Sequence, residues 1–283
     1  MAYHGRAVEA SRTGAWANAV TYFRKAADLD PQNAGAWLDL GIALLRNGNA
    51  GEAFEQVQKA LRISPQFARA HYVAGMLMAM GNRDREAIDA FSAATTYDAN
   101  FIEAHLSLAQ ALQRTGRLRD ALAHYSEVLS RAPADSEGKF GSAITLVRLG
   151  RYQEARTHLI GGTSAHPEET RFAHALARLL AAAPDDRIRD GRRARAIVED
   201  LTKAEATVER AETLAMALAE LRQFDEAAAW QRHAIAAVER DGRSDLAQDM
   251  RTNLRLYERG EPCRTPWRAN DPIFYPRAAT NAP

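Results

Sequence analysis

Pro31, Pro65, Pro133 and Pro167 are separated by 34, 68 and 34 residues, and the one gap in the series falls at Ala99. Gly14, Gly48, Gly116 and Gly150 keep the same interval, with Asn82 (beside Gly81) in the missing place. Ala19, Ala53, Ala87, Ala121 and Ala155 keep it again. Three series in phase over five units identify a repeated supersecondary unit, and this restricts the fold more than any other feature of the chain. With 283 residues, the chain has room for two ordinary domains or one elongated array.

Each unit reads as two helices. Trp37, Leu40, Gly41 and Leu44 recur at i, i+3, i+4 and i+7, one helical stripe. Asn47-Gly48 ends that helix, because glycine accepts the left-handed conformation just past a helix terminus. Ala53, Val57 and Ala60 form a second stripe, and Pro65 bars its continuation by lacking an N–H and restricting its predecessor. Small residues at Gly41 and Ala53, Gly75 and Ala87, and Ala109 and Ala121 are expected to face each other where the two helices cross. Ala60 and Ala94 are expected to meet the next hairpin, where a larger residue would overpack the joint.

The order aromatic, Leu, Gly or Ala, Leu, Gly, Ala, aromatic or Leu, Ala, Pro resembles the tetratricopeptide repeat. The second unit matches best, through Trp37, Leu40, Gly41, Leu44, Gly48, Ala53, Ala60 and Pro65. The resemblance covers roughly residues 2–258. His71, His105 and Lys139 depart from it where a large apolar residue is usual, and Gly162 stands in place of Ala. It implies an all-α fold, a right-handed superhelical solenoid of about seven helical hairpins with a C-terminal capping helix.

The expected organisation is five regular repeats over 1–167 and two variant repeats over 168–243, with an insertion near 183–190. A capping helix over 244–260 and a Pro/aromatic tail over 261–283 complete it. The insertion shows as Ala194 arriving 39 residues after Ala155 instead of 34. Its pattern Pro-Asp…Arg-Asp-Gly…Ala resembles a variant unit near the C-terminus of many bacterial repeat proteins of this type. Gly161-Gly162 should weaken the helix that carries it, so that the fifth unit has either a short second helix or a hinge. The run Arg187, Arg189, Arg192, Arg193 and Arg195 reads as a solvated loop and helix start capped by Asp190, or as a patch for phosphate or an acidic partner.

Composition removes several functions. A net charge of +1 argues against bulk nucleic acid or an anionic membrane as the dominant partner. The single cysteine makes no internal disulfide. No window of 18 apolar residues spans a membrane, and no signal-type run follows Met1. The cytoplasm is the default compartment, with the periplasm open if a leader has been removed. No metal-spaced Cys/His set, haem-attachment motif, phosphate-binding glycine loop or nucleophile elbow is present, so neither an enzyme nor a cofactor is expected. His71 and His105 share one repeat slot and read as packing residues.

In tetratricopeptide arrays the first helices line a concave groove, and helix geometry locates the corresponding slots here. Leu38, Ile42, Leu45 and Arg46 occupy them in the second unit, and Tyr72, Met76 and Met80 in the third. Leu106, Gln110 and Arg114 follow in the fourth, then Phe140, Ile144, Val147 and Arg148 in the fifth. Arg171, His174 and Arg178 fall there in the sixth. This face is more apolar than a solvated one, and contiguous exposed apolar surface marks an interaction site. The expected function is a non-catalytic scaffold or adaptor that holds a peptide or protein segment with apolar anchors and some acidic residues. The Arg12, Arg46, Arg114 and Arg148 ladder would supply side contacts. The other reading of the face is that curvature buries it against itself. The other reading of the function is a structural or assembly subunit within a larger complex. Asparagine is missing from these slots, so a carboxylate clamp of the chaperone-binding type is not expected.

The last segment, "RGEPCRTPWRANDPIFYPR" (259–277), holds four of the ten prolines and the only cysteine. Trp267, Ile273, Phe274 and Tyr275 are too apolar for a solvated tail. The segment through about Tyr275 is expected to dock as a strap near the final hairpins, while Ala278–Pro283 frays. Whether it covers the C-terminal end or occupies the groove is open at this level.

Overall fold

A computed structural model describes residues 2–276 of the chain, so the fraying expected of 278–283 lies outside the described residues. Among the described residues there are fifteen α-helices, one short 3-10 turn and no strand. The described residues form two compact units, residues 2–133 with 275–276, and residues 134–274.

The first unit contains α1 (Ala2–Arg12), α2 (Trp16–Leu29), α3 (Ala34–Arg46), α4 (Ala50–Ile63), α5 (Ala68–Met80), α6 (Asp84–Tyr97), α7 (Ile102–Arg114) and α8 (Leu118–Arg131). The second contains α9 (Ser136–Arg148), α10 (Tyr152–Ala165), α11 (Thr170–Ala182), α12 (Gly191–Ala204), α13 (Val208–Glu220), α14 (Phe224–Arg240) and α15 (Ser244–Glu258), then the turn Pro272–Phe274. Within each unit every α-helix packs against the next one in the chain. This is the all-α hairpin solenoid that the period predicts.

The 34-residue series have local physical causes. Gly14, Gly48, Gly116 and Gly150 all take a positive φ between the two helices of a hairpin, and Asn82 does the same at 56°. Asparagine fills the gap because it enters the left-handed region more readily than other non-glycine residues. The slot of Trp37, His71 and His105 is also explained. Trp37 Nε1 donates to Pro31 O at 3.0 Å. His71 Nε2 lies 2.8 Å from Pro65 O, and His105 Nε2 3.2 Å from Ala99 O. The slot therefore calls for a ring N–H that reaches back six residues to the repeat junction, and histidine keeps what tryptophan supplies.

The small residues hold the crossings close. A Cβ on Gly41 would lie 2.9 Å from Val57 Cγ2 and 3.2 Å from Ala53 O, and one on Gly75 would lie 2.6 Å from the Phe91 ring. Gly161-Gly162 neither shortens nor breaks its helix, which runs on to Ala165 with the same 14 residues as α4, α6 and α8. Gly162 lies under Phe172, whose ring is 2.1 Å from where a Cβ would sit, whereas Gly161 faces open space. The pair marks a tight contact between α10 and α11. The loop at 183–190 is anchored by buried Ile188 and by Asp190, whose side chain caps α12 through Arg193 N at 3.0 Å. Arg187, Arg189 and Arg195 are paired with Asp185, Glu220 and Glu199.

Candidate functional site

The structure corrects the expected exposure of the first-helix slots. Leu38, Ile42, Leu45, Tyr72, Met76, Gln110, Ile144 and Val147 are buried. Where successive first helices touch directly, α5 with α7 and α11 with α13, side chains between them become interior. Tyr72 is covered from its own hairpin by Phe91 of α6, 5.8 Å from its ring, and from the next by Phe101, which precedes α7, at 4.9 Å. Leu106 and Phe140 are half-buried, and Phe140 meets Phe172 edge-on at 5.3 Å. Arg46 is exposed, with its guanidinium 5.8 Å from the Trp16 ring, and Met80 keeps 43% of its surface in water. The face is thus a closed apolar seam with exposed or half-exposed residues at its helix ends.

Two arginines of the ladder meet the C-terminal segment. In the first unit, Arg114 pairs with Asp84 at 2.7 Å and donates to Pro276 O at 3.2 Å. In the second unit, Arg148 donates to Phe274 O at 3.3 Å, and its guanidinium lies 5.5 Å from the Phe274 ring.

The rest of the tail lies on the first helices of the second unit. Gly260, at φ 73°, turns the chain after α15. Arg264 pairs with Glu220 of α13 at 2.6 Å. Arg178 of α11 donates from Nε to Pro266 O, and from Nη2 to Glu212 of α13 at 2.7 Å. Arg268 reaches the other Glu212 oxygen at 2.8 Å. Trp267 and Phe274 are buried and meet edge-on at 6.2 Å. Cys263 is buried beside Thr265 O. Beside these contacts is a cavity of about 370 Å³, lined by Glu209, Glu212, Asp249, Met250, Arg268 and Asp271 among others.

The electrostatics centre on Arg178 and Glu212, which are 5% and 4% exposed. Burial pushes the Glu212 carboxyl up, but Arg178 and Arg268 outweigh it and hold it below its ordinary value. His174 lies 2.9 Å from Thr213 Oγ1, and Arg178 lies 3.3 Å from the same hydroxyl. Burial, helped by the Arg178 charge, lowers its pKa to about 4. The histidine is therefore neutral at pH 7. Sequence reasoning missed Glu212, Glu220, Arg264 and Arg268 as site residues. A signal was present: the slot of Ile42, Met76, Gln110 and Ile144 turns charged at Arg178, and the slot of Leu38, Tyr72, Leu106 and Phe140 holds His174 and then, beyond the insertion, Glu212.

Sequence spacing also did not reveal a grouping of His166, Glu168 and Glu169, whose ligand atoms lie within 4.8 Å of one another. Glu169 is already held by Arg171 and Ser136. No helix among the described residues is long and apolar enough to cross a membrane.

No curated protein matches the sequence. A solved tetratricopeptide repeat protein from Parabacteroides merdae ATCC 43184 is similar over 90% of this chain and 97% of its own, at 16% identity and a TM-score of 0.59. YrrB, described as a TPR protein with an unusual peptide-binding site, is similar over 61% of this chain and 89% of its own (21% identity, TM-score 0.54). The MamA protein is similar over 60% and 92% (20% identity, TM-score 0.53). These likenesses are likenesses of fold. Sequence models of the tetratricopeptide repeat match residues 4–66, 112–179 and 207–240. With the hairpins, the left-handed turn residues and the small-residue crossings in place, the chain belongs to the tetratricopeptide repeat family.

Proposed function

We propose that the protein is a non-catalytic interaction scaffold that holds an extended segment of another protein along its first helices. The observation that carries this reading is in the second unit, where Arg148 and Arg178 each donate to a main-chain carbonyl of the C-terminal segment, at Phe274 in its 3-10 turn and at Pro266. Contacts to carbonyls hold a segment whatever its side chains, and pockets for aromatic side chains add selectivity. YrrB, similar in fold, is described as having a peptide-binding site, which supports peptide binding as the use.

The contact surface in the first unit is set by what remains exposed. Met80 and Arg46 lie at the exposed ends of α5 and α3, where an unbranched thioether and a planar guanidinium adapt to a bound chain. Leu106 and Arg114 extend the surface. Neither nucleic acid nor membrane insertion belongs to this reading.

A second reading, a structural subunit held in a larger assembly, draws on Trp230, which is exposed on α14, a second helix. Photo-crosslinking side chains placed singly at positions 46, 80 and 230 of the full chain separate the two. Crosslinks from 46 and 80 to one partner segment, identified by mass spectrometry, are expected. Crosslinks from 230 alone would overturn the scaffold reading in favour of the subunit.

A further inference from the structure

The tail of the second unit is packed in an unusual way. A segment fixed permanently onto a protein usually seals an apolar surface. Here, residues 262–274 meet Arg148, Arg178, Glu212 and Glu220, and these polar contacts are ionic or to main-chain carbonyls. Buried ion pairs contribute little net stability, because the attraction between the charges is offset by the loss of their hydration. Such a surface returns to water far more readily than an apolar core, and interfaces that open are more polar than those that do not. Against this, two aromatic anchors, Trp267 and Phe274, hold the segment down.

We infer that the face of α9, α11 and α13 is a peptide-binding site that the protein's own tail occupies, and that a partner segment of the same chemistry takes the tail's place. This rests on the scaffold reading above and specifies its ligand in the second unit. The chemistry can be read from the tail. The segment is proline-rich and folds through turns at 269–270 and Pro272–Phe274, and the carbonyls of Pro266 and Phe274 accept from Arg178 and Arg148. Two aromatic side chains stand seven positions apart, as Trp267 and Phe274 do. An arginine directly after the first of them meets Glu212, as Arg268 does at 2.8 Å. The ligand is therefore basic at this point, and an acidic residue there would face the Glu212 carboxylate. With the tail seated, the site is closed in cis. A partner binds with an affinity reduced by the fraction of time the tail is seated.

The test uses a labelled synthetic peptide of residues 261–276, with Cys263 replaced by serine, and fluorescence anisotropy. It is titrated into the wild-type full chain and into the full chain carrying Trp267→Ala and Phe274→Ala, whose own tail is released. The double variant is expected to bind about tenfold tighter or more. Adding Glu212→Gln to it should weaken binding, and a peptide with Arg268→Glu should lose binding. Should the double variant melt, Arg264→Ala replaces it, since this removes only a partly exposed pair with Glu220, and a gain of about threefold is expected. Equal affinity for wild type and the released variant, or no binding to a folded released variant, overturns the inference. Concentration-dependent dimers of the wild-type chain that the peptide dissolves also overturn it, by assigning the face to the tail of a second copy. Failure here with crosslinks at positions 46 and 80 intact removes only the tail-displacement claim. Loss of those crosslinks removes the scaffold reading itself.

Discussion

The first helices of the two units solve the same packing problem differently. In the first unit, Ile42, Met76 and Gln110 occupy one repeated slot, uncharged and buried. In the second unit that slot holds buried Ile144, Arg178 and Met216, Glu212 stands one turn earlier on α13, and the tail meets Arg178 and Glu212 through Pro266 O and Arg268. A repeat array carries charge at an interior slot when another stretch of chain supplies the partners. The regular unit thus keeps this slot free of charge, whereas the irregular unit buries Arg178 there, against the tail.

The sharpest way to break this comparison is to remove the central carboxylate. Glu212→Ala leaves Arg178 and Arg268 without their shared counter-ion, which should destabilise the second unit by about 3–5 kcal/mol in urea denaturation. Glu154→Ala, which removes an exposed partner of Arg151, should give no measurable change. Next is the anchor: Trp267→Ala should lower stability by about 3 kcal/mol, as for other buried aromatic side chains, if the tail is docked in solution. A free tail would leave the melting temperature unchanged.

Acid gives an effect of similar size. His174 titrates near 4 in the folded protein against 6.5 unfolded, so it contributes stability that is complete above about pH 6.5. As pH falls the unfolded chain takes up the proton first, and roughly 3 kcal/mol is lost by pH 4. Depression of the Glu212 carboxyl acts in the same sense at lower pH. His174→Gln should flatten the profile between pH 6.5 and 4. An unchanged profile would place the acid sensitivity elsewhere.

The smallest effects separate two adjacent glycines. Gly162→Ala forces a Cβ into the Phe172 ring and should destabilise by about 1–3 kcal/mol. Gly161→Ala meets nothing within 4 Å and should stabilise α10 by up to about 1 kcal/mol. Equal melting temperatures for the two variants would contradict the packing described for α10 and α11.

These residues also show what could be read from the sequence. The hairpins, their turns and their crossings follow from Gly48, Ala53 and Pro65 because each acts through its own backbone or its nearest neighbour in the repeat. The exposure of Leu38, Tyr72 and Met76 could not be read that way. A helical stripe gives the direction of a side chain within its own hairpin but not what the next first helix covers. The aromatics of the tail indicated docking. Its address on Arg178 and Glu212 did not, because an ion pair 56 positions apart and a hydrogen bond to a carbonyl 88 positions apart leave no local periodicity.

The central claim is that the tail leaves the first helices of the second unit while those helices stay folded. Cys263, the only cysteine and 1% exposed, reports on this in the unmodified full chain. Its rate of reaction with a thiol reagent is measured across urea concentrations below the unfolding transition. The account predicts a rate that barely changes with urea, because opening the tail exposes little surface, and that turns steep only where the protein unfolds. A steep dependence from zero urea, matching that of global unfolding, would show that the tail opens only with the fold and would contradict the account.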